Sequence, residues 1–259
     1  MKHTLAVTRA QRVIVNADDF GLDLDYNQLT LRAFQRGVIS SATLMANMPA
    51  FEDACRLSHE HALLGRIGLH FNLTYGAPLS QGIRRQALFC NAQGQFDLNL
   101  PRSVLRLPPA AAEAVWQELA AQWQRCVDQG LRPSHIDSHQ HVHNLWPVAA
   151  IVARFAARQG VPVRLARNVG GNIGPLKRLF KSALNRRISW LAGRWVNTVC
   201  TPKDLLDGFI PAGVVEVVAH PTQLADGDFG DDYLPPEQSL EQLLNRALPS
   251  HQRIAYSEL

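Results

Sequence analysis

The chain has 259 residues, 46% of them hydrophobic and 19% charged, a composition that excludes disordered and fibrous classes and suffices for a large buried core. Its net charge of +4 is modest, and no aromatic-interleaved basic groove accompanies it, so nucleic acid is not expected as a partner. Four cysteines, Cys55, Cys90, Cys126 and Cys200, form no C-x-x-C pair, which excludes a zinc knuckle or disulfide framework and makes a reducing compartment the simplest expectation.

The opening MKHTLAVTRAQRV lacks an apolar run long enough for a signal-peptide core. No stretch approaches the ~20 apolar residues of a spanning helix. A cytoplasmic enzyme or binding protein is therefore expected. The first β-branched run predicts a strand over Arg12–Ala17, and it ends in two adjacent acids, Asp18 and Asp19, which do not favour strands. A helical pattern over Asp25–Arg36, a strand over Val38–Met45, a helix over Phe51–His61 and a strand over Arg66–Leu73 containing His70 follow. The alternation lapses over residues 74–109, rich in Gly, Pro and Asn, which reads as a binding loop or lid. It resumes with a helix over Ala110–Gln129, a strand over Ser134–Ser138 that runs into His139, a helix over Pro147–Gln159 and a strand over Pro162–Ala166. A helix over Leu176–Trp195, strands over Val196–Cys200 and Val214–Ala219, the second running into His220, a helix over Pro236–Ala247 and a strand over Arg253–Ser257 complete the pattern.

Roughly eight strand-helix units favour a parallel sheet in a closed or partly closed (β/α) barrel, with a doubly wound open sheet as second choice. No linker divides residues 1–259, so a single domain is expected. Between Gly171 and Lys203 there is no acid, whereas Lys177, Arg178, Lys181, Arg186, Arg187 and Arg194 fall there among apolar residues at helical spacing. This basic amphipathic helix, about 176–195, reads either as a solvated face over a buried one or as a contact for an anionic membrane surface.

Asp18, Asp19, His70, His139 and His220 all fall at predicted strand carboxyl ends, which share one face in a parallel barrel, so residues over 200 positions apart should converge. Two imidazoles and a carboxylate suit a divalent transition ion. Consecutive residues at a strand end point in different directions, so one aspartate can hold the ion while the other serves as base. In HIDSHQHVH, His135, His139, His141 and His143 cannot all be ligands of one site, and position favours His139.

The segments VNADDFG, GVISSATLMANMP, GLHFNLT, PSHIDSHQHVHN and AHP resemble, in order and spacing, the YdjC/ChbG carbohydrate deacetylase family. The resemblance implies a distorted (β/α) TIM-like barrel, mostly of parallel strands. It implies hydrolysis of the N-acetyl group of an amino sugar or chito-oligosaccharide with one divalent metal ion, Mg or Zn. By motif, Asp19, His70 and His139 would hold the metal, Asp18 would be the base and His220 the acid. Asn72, Arg164, Arg167 and His143 are further candidates for substrate contact. The basic helix has no counterpart recognised in the chitobiose deacetylases and suits a lipid-linked sugar, as in the hopanoid-associated HpnK-type branch. A homo-oligomer is the default expectation. Two rival readings are a non-haem Fe(II) oxygenase, for which His135 and Asp137 supply an H-x-D pattern, and a non-catalytic sugar- or metal-binding barrel. The first is at odds with the strand-helix alternation, the second with the spare aspartate.

Overall fold

Strand β1 (Arg12–Phe20) is the axis of the molecule: from Val13 onward every residue of it is buried, as a strand covered by layers on both faces requires. The computed structural model describes residues 12–193 and 196–259. Expectations for the opening segment, and for Arg194 and Trp195 at the end of the basic helix, lie outside the described residues. Beside β1 lie β2 (Ser41–Leu44), β3 (Ile67–Phe71) and β4 (Ile136–Ser138) in that order, and on the other side β6 (Val214–Ala219) and then β5 (Thr198–Cys200). Every pairing in this sheet is parallel, and β9 (Gln252–Arg253) adds to the start of β1.

Parallel neighbours need crossovers, and helices supply them. They are α1 (Leu24–Gln35), α2 (Phe51–Glu60), α4 (Pro109–Asp128), α5 (Trp146–Gln159), α6 (Pro175–Ala192), α7 (Pro202–Leu206) and α8 (Leu240–Ala247). The product is an incomplete (β/α) barrel with all strand carboxyl ends on one rim. An oxygenase of the H-x-D type would need an antiparallel jelly roll, which this sheet is not.

The boundaries differ from the pattern-based ones for local reasons. Val38 and Ile39 donate their N–H groups back to the Ala33 carbonyl at the end of α1, so the second strand starts only at Ser41. Residues 162–166 run alongside β4 through a single bridge, Val163 against Ile136, because Pro162 has no N–H to extend the ladder. The helix expected from Pro236 begins at Leu240, where Ser239 caps it by accepting the Gln242 N–H at 3.2 Å. The C-terminal run is strand only over Gln252–Arg253 and then turns into a 3-10 helix at Tyr256–Glu258. An unanticipated antiparallel hairpin, β7 (Pro221–Gln223) with β8 (Phe229–Asp231), follows β6 directly.

The irregular stretch is packed rather than loose: it holds the short helix α3 (Gln81–Arg84) and an antiparallel bridge between Cys90 and Phe96, and buries Ile83, Phe89 and Leu100. In α6 a buried apolar face exists for Leu184 and Ile188, whereas Leu176, Leu179 and Trp190 stand in solvent.

Candidate metal and acid-base site

The two adjacent aspartates separate because the strand is irregular there. The pairing of β1 with β2 slips between Ala17 and Phe20, and Asp19 takes a positive φ of 66°, a conformation Asp tolerates better than most residues. Gly21 completes the turn at φ +88°, where an added Cβ would sit 2.8 Å from Leu44 Cδ1. Asp18 is thereby aimed into the barrel and Asp19 towards its rim.

Asp19 is the point of convergence. Its Oδ1 lies 3.0 Å from His70 Nε2 and 2.7 Å from His139 Nδ1, and its Oδ2 lies 3.8 Å from His220 Nε2. Each imidazole is placed by its own element. His70 stands opposite Asp137 in the β3–β4 register, and its Nδ1 is 2.7 Å from Asp137 Oδ1. Thr43 of β2 sits 3.1 Å from the same nitrogen and donates to Asp137 Oδ2 at 2.9 Å, fixing the pair. His139 follows β4 directly, and Gln140 and His141 after it both have positive φ, so the chain reverses at the rim. His220 follows β6, with its backbone N–H donated to Asp231 Oδ2 of β8 at 2.7 Å, and its Nδ1 is buried without a hydrogen-bond partner among the described residues.

Beneath the rim lies a buried charge cluster. Arg164 donates to both oxygens of Asp18 at 2.7 Å, pairs with Asp137 Oδ2 at 2.7 Å and donates through Nε to Glu216 Oε1 at 2.6 Å. The Tyr256 hydroxyl donates to the other Glu216 oxygen, and Asn16 Nδ2 donates to Asp18 Oδ1 at 3.0 Å. Burial alone would raise the Asp18 pKa, but the Arg164 guanidinium overrides it and holds the carboxyl below the ordinary value. Burial likewise opposes charge on Asp19, and its hydrogen bonds from His139 and His70 hold it down. Burial pushes the His70 pKa down, yet the Asp137 and Asp19 carboxylates win and carry it up to about 10.

Asp19, His70 and His139 thus form one constellation of potential ligands. The residues fit a divalent cation: one carboxylate oxygen and two imidazole nitrogens converge in a pocket so anionic that His70 is driven towards its charged form. A second group, Asp18, His70 and Asp137, is the weaker candidate because Arg164 already neutralises its acids.

The other sequence candidates sit differently. Asn72 is buried and spent on its own loop: it accepts from the Thr74 and Tyr75 N–H groups and donates to Asn47 and to the Tyr75 carbonyl. Arg164 is buried in the charge cluster and reaches Asp18 rather than the rim. Arg167 pairs with Asp204 and donates to Asn172, lining a cleft of about 210 Å³ with Arg164, His141 and Tyr233. His143 is buried with Nδ1 2.5 Å from Ser138 Oγ, and His135 is stacked at 3.7 Å on the Tyr256 ring. His141 lines both the small cleft and a larger one of about 990 Å³ between the irregular stretch and α6. Sequence reasoning about ligands and acid-base groups missed Asn16, Thr43 and Glu216, whose signal was a polar residue inside a β-branched run, as in VVEVVA, and singled out Asp137 only through the H-x-D pattern of the oxygenase reading.

The family model described as YdjC-like protein matches residues 12–253. A carbohydrate deacetylase of Geobacillus stearothermophilus is 46% identical over 154 residues, 60% of this chain and 59% of that protein. The chain thus spans less than two thirds of that relative's length. A chitooligosaccharide deacetylase of Salmonella paratyphi B is 36% identical over 214 residues, 81% of each. A solved structure from Enterococcus faecalis V583, provisionally named a cellobiose-phosphate cleavage protein, superposes with a TM-score of 0.70 at 22% identity, covering 96% of this chain and 98% of its own, and shares the fold.

Proposed function

Because the chain belongs to the YdjC-like family, we propose that it hydrolyses the N-acetyl group of an amino sugar or acetylated oligosaccharide, releasing acetate and a free amine. The observation that carries the reading is the divergence of the aspartate pair, Asp19 on two imidazoles at 3.0 and 2.7 Å and Asp18 on a guanidinium beside them. Asp19, His70 and His139 would hold one divalent ion, Mg or Zn, and such an ion supplies polarisation of the acetyl carbonyl and a more acidic water.

Asp18 is suited to take the proton of the attacking water. Its Oδ1 already accepts from Asn16 and Arg164, but Oδ2 accepts from Arg164 alone and keeps a lone pair. Arg164 keeps that carboxylate ionised and stops it from rotating. As the water oxygen bonds to the acetyl carbon, the C–N bond breaks, and the leaving amine needs a proton. His220, whose Nε2 is 3.8 Å from Asp19 Oδ2, would give it, and its backbone hydrogen bond to Asp231 and its edge-on contact with Tyr233 at 5.3 Å support that role.

The test is acetate release from a panel of N-acetylated sugars by metal-reconstituted protein. Release from at least one of them, lost in Asp18→Asn and in His139→Ala, is the expected result. Inactivity on every sugar, or variants as active as the parent, would sink the proposal.

A further inference from the structure

Helix α6 carries two apolar faces where one would suffice to hold it. Leu184 and Ile188 are fully buried, while Leu176, Leu179 and Trp190 are 82%, 69% and 82% exposed. Their spacing, with Ala183 also exposed, is that of a single stripe on the side away from the core. Exposed cations share the helix: Arg186 borders the stripe, Arg178, which donates to the Ile173 carbonyl at 3.4 Å, lies further round, Lys177 is on the cleft side, and no acid occurs between Gly171 and Lys203. Arg187 is otherwise engaged, donating to the Trp146 carbonyl at 2.8 Å and lying over that ring.

An apolar stripe set among charges of one sign selects its partner. A second copy packed about a twofold axis would bring the same acid-free cations face to face, at a cost in repulsion. An anionic lipid surface satisfies both parts, since cations meet headgroups, leucines enter the acyl boundary, and an indole suits the interface between them. No helix among the described residues is long and apolar enough to cross a membrane, so the contact would be peripheral. The position of the helix adds a second argument: Lys177 and Phe180, 39% exposed, line the cleft of about 990 Å³ together with Gln140 and His141, the residues next to His139.

We propose that the outer face of α6 docks on an anionic lipid bilayer, on the helix whose other side lines this cleft. The docking goes beyond the hydrolytic reading and stands or falls without it, because its measurement involves no substrate.

The experiment is flotation of the full chain with phosphatidylcholine–phosphatidylglycerol vesicles, against phosphatidylcholine alone, at low and high salt. Binding to the anionic vesicles that weakens with salt is expected. The charge reversals Arg178→Glu and Arg186→Glu should each lower the bound fraction roughly fivefold or more. Combining Leu176→Ser, Leu179→Ser and Trp190→Ser should abolish binding, with an unchanged thermal midpoint showing that the fold survives. Leu64→Ser, an exposed leucine at the opposite end of β3, should bind as the parent does. The proposal is overturned if the parent fails to float with anionic vesicles at low salt. It also fails if neutral vesicles bind equally, or if the triple variant still floats. Self-association that the triple variant removes, in a parent that does not float, would identify a second copy as the occupant instead.

Discussion

At Asp18 and Asp19 two chemically identical side chains are made different by what surrounds them. Asp18 faces a guanidinium and Asp19 faces imidazoles, so their replacement by asparagine should separate two functions. Asp18→Asn is expected to lower turnover by about 10²–10⁴-fold, the usual worth of a positioned base, while bound metal per chain stays at the parental level. Asp19→Asn is expected to lose metal first and activity as a consequence, both read by elemental analysis after dialysis alongside acetate release. An Asp18→Asn protein that has also lost its metal would contradict the division of roles. The pair itself was legible in the sequence because acids at the end of an apolar strand need a reason. Its resolution was not: the slipped register and the positive φ at Asp19 are properties of β1 against β2, which no local pattern encodes. Arg164 carried a signal of a different kind, since a cation buried at a strand position must find acids, and the three it finds come from β1, β4 and β6.

Strand β3 delivers His70 only because Gly68 leaves room for the ring of His135. A Cβ at Gly68 would lie 2.4 Å from His135 Cε1, against a side chain already stacked on Tyr256. Gly68→Ala is therefore expected to destabilise the fold by about 1–3 kcal/mol, as overpacking does, and to lower activity by moving His70. Adding His135→Ala should recover part of both, a coupling that a double-mutant cycle of thermal or urea unfolding measures. The β7–β8 hairpin gives a second element-level outcome. Burial pushes the Asp231 carboxyl up to about 7, against the N–H groups of Tyr233 and His220 that pull it down. A folded-state value above the ordinary 3.8 favours folding fully below that pH, and the contribution is lost as pH rises through 7. The stability of the parent relative to Asp231→Asn should thus fall between pH 4 and 7, by at most about 1.4 kcal/mol per pH unit. A difference that is flat across that window would show that Asp231 is ionised throughout. This hairpin was not legible in the sequence, because three-residue strands beginning at Pro221 are too short for a periodicity and are held by cross-strand pairing alone.

At the scale of the whole chain, the repetition of strand and helix was enough to read a parallel barrel-like sheet and hence a shared rim. What periodicity could not supply was closure: residues 162–166 bridge β4 at one point only, and β5 ends the path on the other side. An incomplete barrel has fewer ladder bonds joining its flanks, so a ligand on the rim should contribute visibly to its stability. Asp19, His70 and His139 arrive from β1, β3 and the end of β4, and the first and last are separated by 120 positions. An ion bound to the folded arrangement and not to the unfolded chain stabilises by mass action, about 2.7 kcal/mol at a hundredfold excess over Kd. For a chain of this length that raises the thermal midpoint by several degrees. Chelation of the protein should accordingly lower the midpoint, and Mg or Zn should restore it in a concentration-dependent way. Asp18→Asn should keep that response, whereas Asp19→Asn and His139→Ala should lose it, because the former of these two removes the charge of a ligand oxygen and the latter removes a ligand nitrogen. A midpoint indifferent to metal in the parent would place no ion on this rim, and with it would fall the division of labour between the two aspartates.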